Sequence, residues 1–217
     1  MSSLTLVIGS KDFSSWSLRP WLALKQTGQP FAEIVVPLRR PDTRARILEH
    51  SPSGKVPLLK HGERTVWDSL AICEYLAELF PEARLWPEDV HARAVARSVS
   101  AEMHSGFAAL RTHMSMDLKT RHPGEGRTPE SEADIARIAA LWNDARARFG
   151  QGGPFLFGQG GPFLFGRFSI ADAMYAPVVT RFDTYGVELD PVARAYCDTV
   201  LNMPAMKEWI AAAQAES

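Results

Sequence analysis

Cysteine is nearly absent from this chain of 217 residues: there are two, Cys73 and Cys197, far apart and outside any C-x-x-C pair. That spacing excludes a disulfide framework and suits a reducing compartment. Net charge is missing too. The 24 basic residues meet 25 acidic ones for a formal charge of −1, so no strong field draws the chain to nucleic acid or to an anionic membrane. No run approaches the ~20 apolar residues of a membrane span, and Met1-Ser2-Ser3-Leu4 carries no basic leader pattern. The expectation is a cytoplasmic protein with no nucleic-acid or membrane partner. No H-E-x-x-H and no metal-spaced histidine cluster occurs, so no metal is expected. Neither a G-x-G-x-x-G after a strand nor a G-x-S-x-G elbow is present, and nucleotide binding and serine hydrolysis lose support.

What remains is ordinary globular composition, 46% hydrophobic and 23% charged, in a chain long enough for one large domain or two modest ones. Leu4 to Ile8 is a short β-branched run and reads as a strand. Ser14-Ser15 precede a helical pattern through Trp21, Leu22 and Leu24, stopped near Gly28-Gln29-Pro30. Phe31 to Val36 reads as a second strand, Thr43 to Glu49 as a short basic helix. Val56 to Lys60 and Arg64 to Trp67 flank a hairpin connection at His61-Gly62-Glu63. Asp68 to Phe80 spaces Leu70, Ile72, Cys73, Leu76 and Leu79 as a helix does. The order βαβ-α-ββα is that of a thioredoxin-like α/β domain over residues 1–80. A linker with two prolines follows at 81–89, and 90–217 reads as all-helical. There Val90 to about Met116 is expected as one long helix, with Glu130 to Phe149, a helix after Ser169, Pro191 to Leu201 and Pro204 to Gln214 as the others.

Ser51 to Pro57, S-P-S-G-K-V-P, carries the most chemistry. Pro57 stands where a strand begins, a place that tolerates its missing N–H, and an X-Pro bond in a tight turn is where a cis peptide is expected. A cis bond there would turn the Val56 N–H and C=O outward to an extended ligand backbone. Beyond it, Asp68-Ser69 open a helix whose free N–H groups attract a carboxylate. Together these make a peptide-binding edge beside an anion site. The constellation resembles the glutathione transferase family over nearly the whole chain. The resemblance implies that family's fold, an α/β thioredoxin-like domain followed by an all-α domain, with glutathione as cosubstrate. By the same resemblance Val56-Pro57 pairs with the cysteinyl backbone, Asp68 takes the γ-glutamyl ammonium and Ser69 its carboxylate. Lys55 meets the glycyl carboxylate, and Arg40, beside Arg39, flanks the cleft.

Ser14, Ser15 and Ser17 stand where the first strand meets the first helix. The string S-S-W-S-L-R is similar to the S-S-C-S-W-R of zeta-class members, which implies that Ser14, or failing it Ser15, activates the thiol. Trp16 replaces the cysteine of that motif, which argues against an isomerase that needs it. A plain helix cap is the other reading of these serines. His104, Phe107 and Arg111 fall at i, i+3 and i+7, one face of a helix, and with Trp16 are the candidate pocket for a second substrate. The leading expectation is a transferase that attacks a small soft electrophile and forms a homodimer. The alternatives are a glutathione-dependent isomerase or lyase of a catabolic substrate, and a non-catalytic binding protein of the same fold.

Two local features complete the reading. Ser169-Ile170-Ala171-Asp172 is a capping box ahead of an apolar helix, with Phe168 as its staple. Gly150 to Phe157 recurs letter for letter as Gly158 to Phe165, too short and too few for a solenoid. Phe163-Leu164-Phe165, adjoining the capping box, is expected to be buried, and Phe155-Leu156-Phe157 to be the looser copy.

Overall fold

The computed structural model describes residues 3–150 and 160–216. Four strands, β1 (Leu4–Gly9), β2 (Phe31–Val36), β3 (Leu58–His61) and β4 (Arg64–Val66), form one sheet in the order β2-β1-β3-β4. β1 and β2 run parallel, with Leu4 opposite Phe31 and Gly9 opposite Val36, while β3 is antiparallel to both β1 and β4. The period-two alternation of a strand sorts β1 between two cores. Leu6 and Ile8 face α1 (Ser15–Gln26) and α3 (Ser69–Leu79), whereas Val7 joins Val36, Ile47 and Leu58 beneath α2 (Thr43–Leu48). This is a thioredoxin-like domain.

A single 3-10 turn, Pro81–Ala83, leads to six further helices among the described residues: α4 (Val90–Ser105), α5 (Ala108–His113), α6 (Pro129–Ala145), α7 (Ile170–Thr184), α8 (Pro191–Asn202) and α9 (Pro204–Ala215). Their starts are written chemically. Asp89 accepts from the Ala92 N–H at 2.7 Å, and Asp190 from Val192 and Ala193. Proline opens α6, α8 and α9, where its missing N–H costs nothing. α6 ends in a π turn, Arg146–Gly150. α7 is buried on nearly every side and forms the axis of the helical part. α1 packs against α7 and α9 as well as α3, so the apolar core runs unbroken from Leu6 through Trp21 to Trp142, Phe182 and Trp209.

The expected long helix from Val90 to Met116 is two helices. Gly106 ends α4 in extended conformation, and a Cβ there would lie 2.8 Å from the Glu102 carbonyl oxygen. Phe107 then adopts a left-handed conformation, φ 57°. A glycine inside the apolar period was the available signal.

The capping box forms: Asp172 accepts the Ser169 N–H at 2.8 Å, the Ser169 hydroxyl at 3.0 Å and the Leu164 N–H at 3.1 Å. Phe168 packs edge-on against Phe163. Leu164 and Phe165 are buried, the latter stacked on Phe149 at 5.2 Å. The other copy of the repeat, Phe155-Leu156-Phe157, lies outside the described residues. At the far end of the chain, Glu216 accepts the Lys11 N–H on both carboxylate oxygens, at 2.9 and 2.8 Å, and the Trp209 indole donates to the Lys11 carbonyl. α9 and the residue beyond it thus grip the loop that leads into α1.

Candidate glutathione site

A cleft of about 720 Å³ opens between the sheet edge and α4. Its floor is Lys55, Val56 and Pro57, its wall the Trp67-Asp68-Ser69 segment, and its far side Trp16 and His104. The Val56–Pro57 bond is cis, as is Trp67–Asp68. Among the described residues the Val56 N–H and C=O have no protein partner, which leaves them open to another backbone. Asp68 is the N-cap of α3: one oxygen accepts the Leu70 N–H at 2.8 Å, the other lies 3.3 Å from His104 Nε2. Ser69 is buried, and its hydroxyl has no partner among the described residues. A buried hydroxyl without a partner is costly unless something accepts its proton, and at a helix N-terminus a carboxylate does so best. Lys55 is exposed at the mouth of the cleft.

Ser14 is buried at the start of α1 and makes no side-chain cap bond. Its hydroxyl donates instead to Ser17 Oγ at 2.7 Å, and Ser17 Oγ also accepts the Gly9 N–H at 3.1 Å. This chain of bonds ties the end of β1 to the first turn of α1. Ser15 is buried beside them. Neither Ser14 nor Ser15 lines the cleft itself; Trp16, between them and Ser17, does.

Not all the residues singled out in the sequence meet here. Arg40 is exposed and does not line the cleft; its N–H donates to Thr43 Oγ1, which organises the start of α2. Phe107 is buried in the core, and the break at Gly106 takes it off any face shared with His104 and Arg111. His104 and Arg111 meet nonetheless through Trp16. The His104 ring stands edge-on to the indole at 5.3 Å, and the Arg111 guanidinium lies 5.4 Å from it while donating to the His104 carbonyl. Ile47, Ser53, Gly54 and Trp67 complete the lining. Of these, Ser53 and Gly54 lie within the S-P-S-G-K-V-P string, while Ile47 comes from the apolar face of α2, which no motif marks. Arg19 was also passed over. It is fully buried on α1 with its guanidinium 4.2 Å from the Trp16 ring, and burial, with Arg181 and Arg111 close by, lowers its pKa to about 9.

The glutathione S-transferase N-terminal domain profile matches residues 13–79 and the C-terminal domain profile residues 92–212. The chain belongs to the glutathione S-transferase family. It is accordingly an enzyme of the transferase class with glutathione as cosubstrate, the second substrate being a separate question. Among its relatives, a probable maleylacetoacetate isomerase of Caenorhabditis elegans is 26% identical over 88% of this chain and 85% of its own length. The maleylacetoacetate isomerase of Rattus norvegicus is 28% identical over 81% of this chain and 70% of its own. A glutathione transferase homologue from Burkholderia, solved with bound glutathione, superposes with a TM-score of 0.71 at 23% identity over 99% of this chain and all of that one. Omega 3C transferase of Trametes versicolor gives 0.67 at 19% identity over 100% of this chain and 91% of its own.

Proposed function

We propose that this enzyme binds glutathione along Val56-Pro57 and the N-terminus of α3 and presents its sulfur to Ser14, so that the thiolate attacks a soft electrophile. The observation that carries the reading is the Asp68–Ser69 helix start. A carboxylate and an unpartnered buried hydroxyl stand side by side in the cleft, suited to the ammonium and carboxylate of one γ-glutamyl group. Lys55, exposed on the cleft lining, supports the reading as a partner for the glycyl carboxylate.

A free thiol of pKa about 8.5 is roughly 3% ionised at neutral pH. One hydrogen bond to the thiolate, worth ~1.5–3 kcal/mol, brings that pKa down by about one to two. The partial positive end of α1 acts in the same direction. Ser14 donates to Ser17 in the resting site. Reversing that bond, so that Ser17 donates to Ser14, frees the Ser14 proton for the sulfur. The thiol proton passes to solvent, and the thiolate then bonds to the electrophilic carbon as that carbon's leaving group departs with its electron pair, or as the π pair of an activated double bond shifts onto the activating group and is protonated from solvent.

The names of the relatives favour a second reading, glutathione-dependent isomerisation. The same thiolate would add to an activated double bond, the adduct would rotate about the resulting single bond, and the thiolate would leave again. Both readings share the first step. Two free cysteines, both buried, suit a reducing cytoplasm, and we retain the division into residues 1–80, 81–89 and 90–217.

Calorimetry with reduced glutathione tests the site, and a micromolar-to-millimolar dissociation constant is expected. No heat and no protection against thermal unfolding at millimolar ligand would overturn it. Thiolate absorbance against pH then tests the serine: Ser14→Ala should leave binding nearly unchanged and raise the pKa of the bound thiol by about one to two.

A further inference from the structure

Arg19 is the least explained residue in the molecule. It has no exposed surface, and its Nε, Nη1 and Nη2 have no hydrogen-bond partner among the described residues. A guanidinium carries five N–H donors and is retained in an interior when something accepts them. The face of Trp16 contributes a cation–π contact, which satisfies none of those donors. The charged neighbours make the imbalance worse. Arg181 and Arg111 are both close enough to depress the basicity of Arg19, and only Asp68 opposes them; the Cys73 thiol is held neutral by burial. Arg181 satisfies itself on the carbonyls of Met114 and Pro177. Asp68 is shared between the Leu70 N–H and His104.

Trp16 stands between these arginines and the cleft. Its indole lines the cleft, with His104 at its edge, and both Arg19 and Arg111 lie against its ring. Among the described residues the half-buried indole is held by ring contacts alone, with no hydrogen bond to break if it turns. Arg111 is half-buried on α5 and Arg19 fully buried on α1.

We propose that Arg19 and Arg111 form an anion subsite behind Trp16, which receives the carboxylate of the second substrate when the indole turns aside. This rests on the transferase reading for the identity of the occupant, an electrophile with an acidic group near its reactive carbon. It does not rest on that reading for the binding of the anion itself. The planar fork of a guanidinium matches a carboxylate at two points, and the Trp16 face is left to cover the carbon skeleton.

A matched pair of probes separates the two claims. Calorimetry with 3-nitrobenzoate and with methyl 3-nitrobenzoate reads anion binding without chemistry. Turnover of 4-chloro-3-nitrobenzoate and its methyl ester with glutathione reads the reaction, in which a carbon–sulfur bond forms and chloride leaves. The acid should bind about tenfold or more tightly than the ester, with the same preference in KM. Arg19→Gln should abolish that preference and Arg111→Gln weaken it, while Arg19→Lys should keep part of it. Because Arg111 is half-buried, its variant keeps the test decisive even where Arg19→Gln fails to fold. Equal binding of acid and ester, or a preference that survives in the Arg111 and Arg19 variants alike, overturns the subsite. Acid binding without any turnover would sink the transferase reading and leave the subsite standing; turnover without acid preference would do the reverse.

Discussion

Ser14 and Ser17 act as a pair, which separates them from capping serines. Because Ser17 Oγ accepts from both Ser14 and the Gly9 N–H, Ser17→Ala should cost the site twice. It leaves a buried N–H unpartnered, at about 1–3 kcal/mol of stability, and, in the proposed mechanism, it removes the group that would free the Ser14 proton. The expected result is a raised thiol pKa in glutathione-bound protein, smaller than that of Ser14→Ala, together with a lower midpoint in urea. An unchanged thiolate titration would place the activating role on Ser15. The cysteines give a complementary check. Burial pushes the Cys197 thiol up to about 12 and that of Cys73 higher still. Native protein should therefore leave Ellman's reagent unreacted, while urea-unfolded protein should react at both residues.

Residues of the cleft were legible in the sequence wherever their role is local: a proline at a strand start, an acid and a serine at a helix N-terminus. Arg19 stands in the same string as the serines and told nothing, because its burial and lack of partners arise only when α7 packs on α1 and brings Arg181 near, with Arg111 of α5 beside it. Arg40 misled for the converse reason, since a basic residue near a cleft in sequence is free to point elsewhere.

Among the elements, α7 depends most on a single side chain. Asp172 is wholly buried, and desolvation outweighs its three hydrogen bonds, raising its pKa to about 6 from the ordinary 3.8. Between those values the folded chain holds a proton that the unfolded chain has released. The contribution of Asp172 to stability is therefore full below about pH 4 and is lost as pH rises through about 6, an effect of roughly 3 kcal/mol at most. Urea unfolding of wild type and Asp172→Asn at pH 4.5 and 7.5 should show the wild type losing ground to the variant at the higher pH. A constant difference would mean that Asp172 stays ionised throughout. In the segment leading to α7, Phe165 fills the groove beside Phe149, and Phe165→Ala should cost about 3–5 kcal/mol. Helix starts were readable from their Asp, Ser, Thr and Pro residues. The break at Gly106 was marked by that glycine alone, because the apolar positions of α4 and α5 keep one period across it while Phe107 turns the chain.

Across the whole molecule the two parts are not independent. α1 belongs by sequence to the sheet, yet its Trp21 packs against Trp209 at 5.1 Å and the helix lies along α7. Thermal unfolding should thus be one transition, and residues 1–80 expressed alone should lack a sharp one, since Trp21, Leu22 and Leu24 would lose part of their cover. Association is expected as well. Family resemblance points to a two-fold dimer, and exposed Trp67 and Val90 supply apolar surface. Light scattering should give twice the chain mass at micromolar concentration, and a monomer mass would count against it.

The grip of Glu216 and Trp209 on Lys11 has a consequence for how the enzyme comes to exist. The loop that presents Ser14 leaves the ribosome early, but the C-terminal part of what holds it, Trp209 and Glu216, comes only with α9 and the residue beyond it. A nascent chain whose sheet is already covered by α4 to α7 carries the Val56-Pro57 edge while that loop still lacks its last fastening. Glutathione binding should accordingly appear during synthesis ahead of thiol activation, and release from the ribosome should be the moment at which the enzyme switches on.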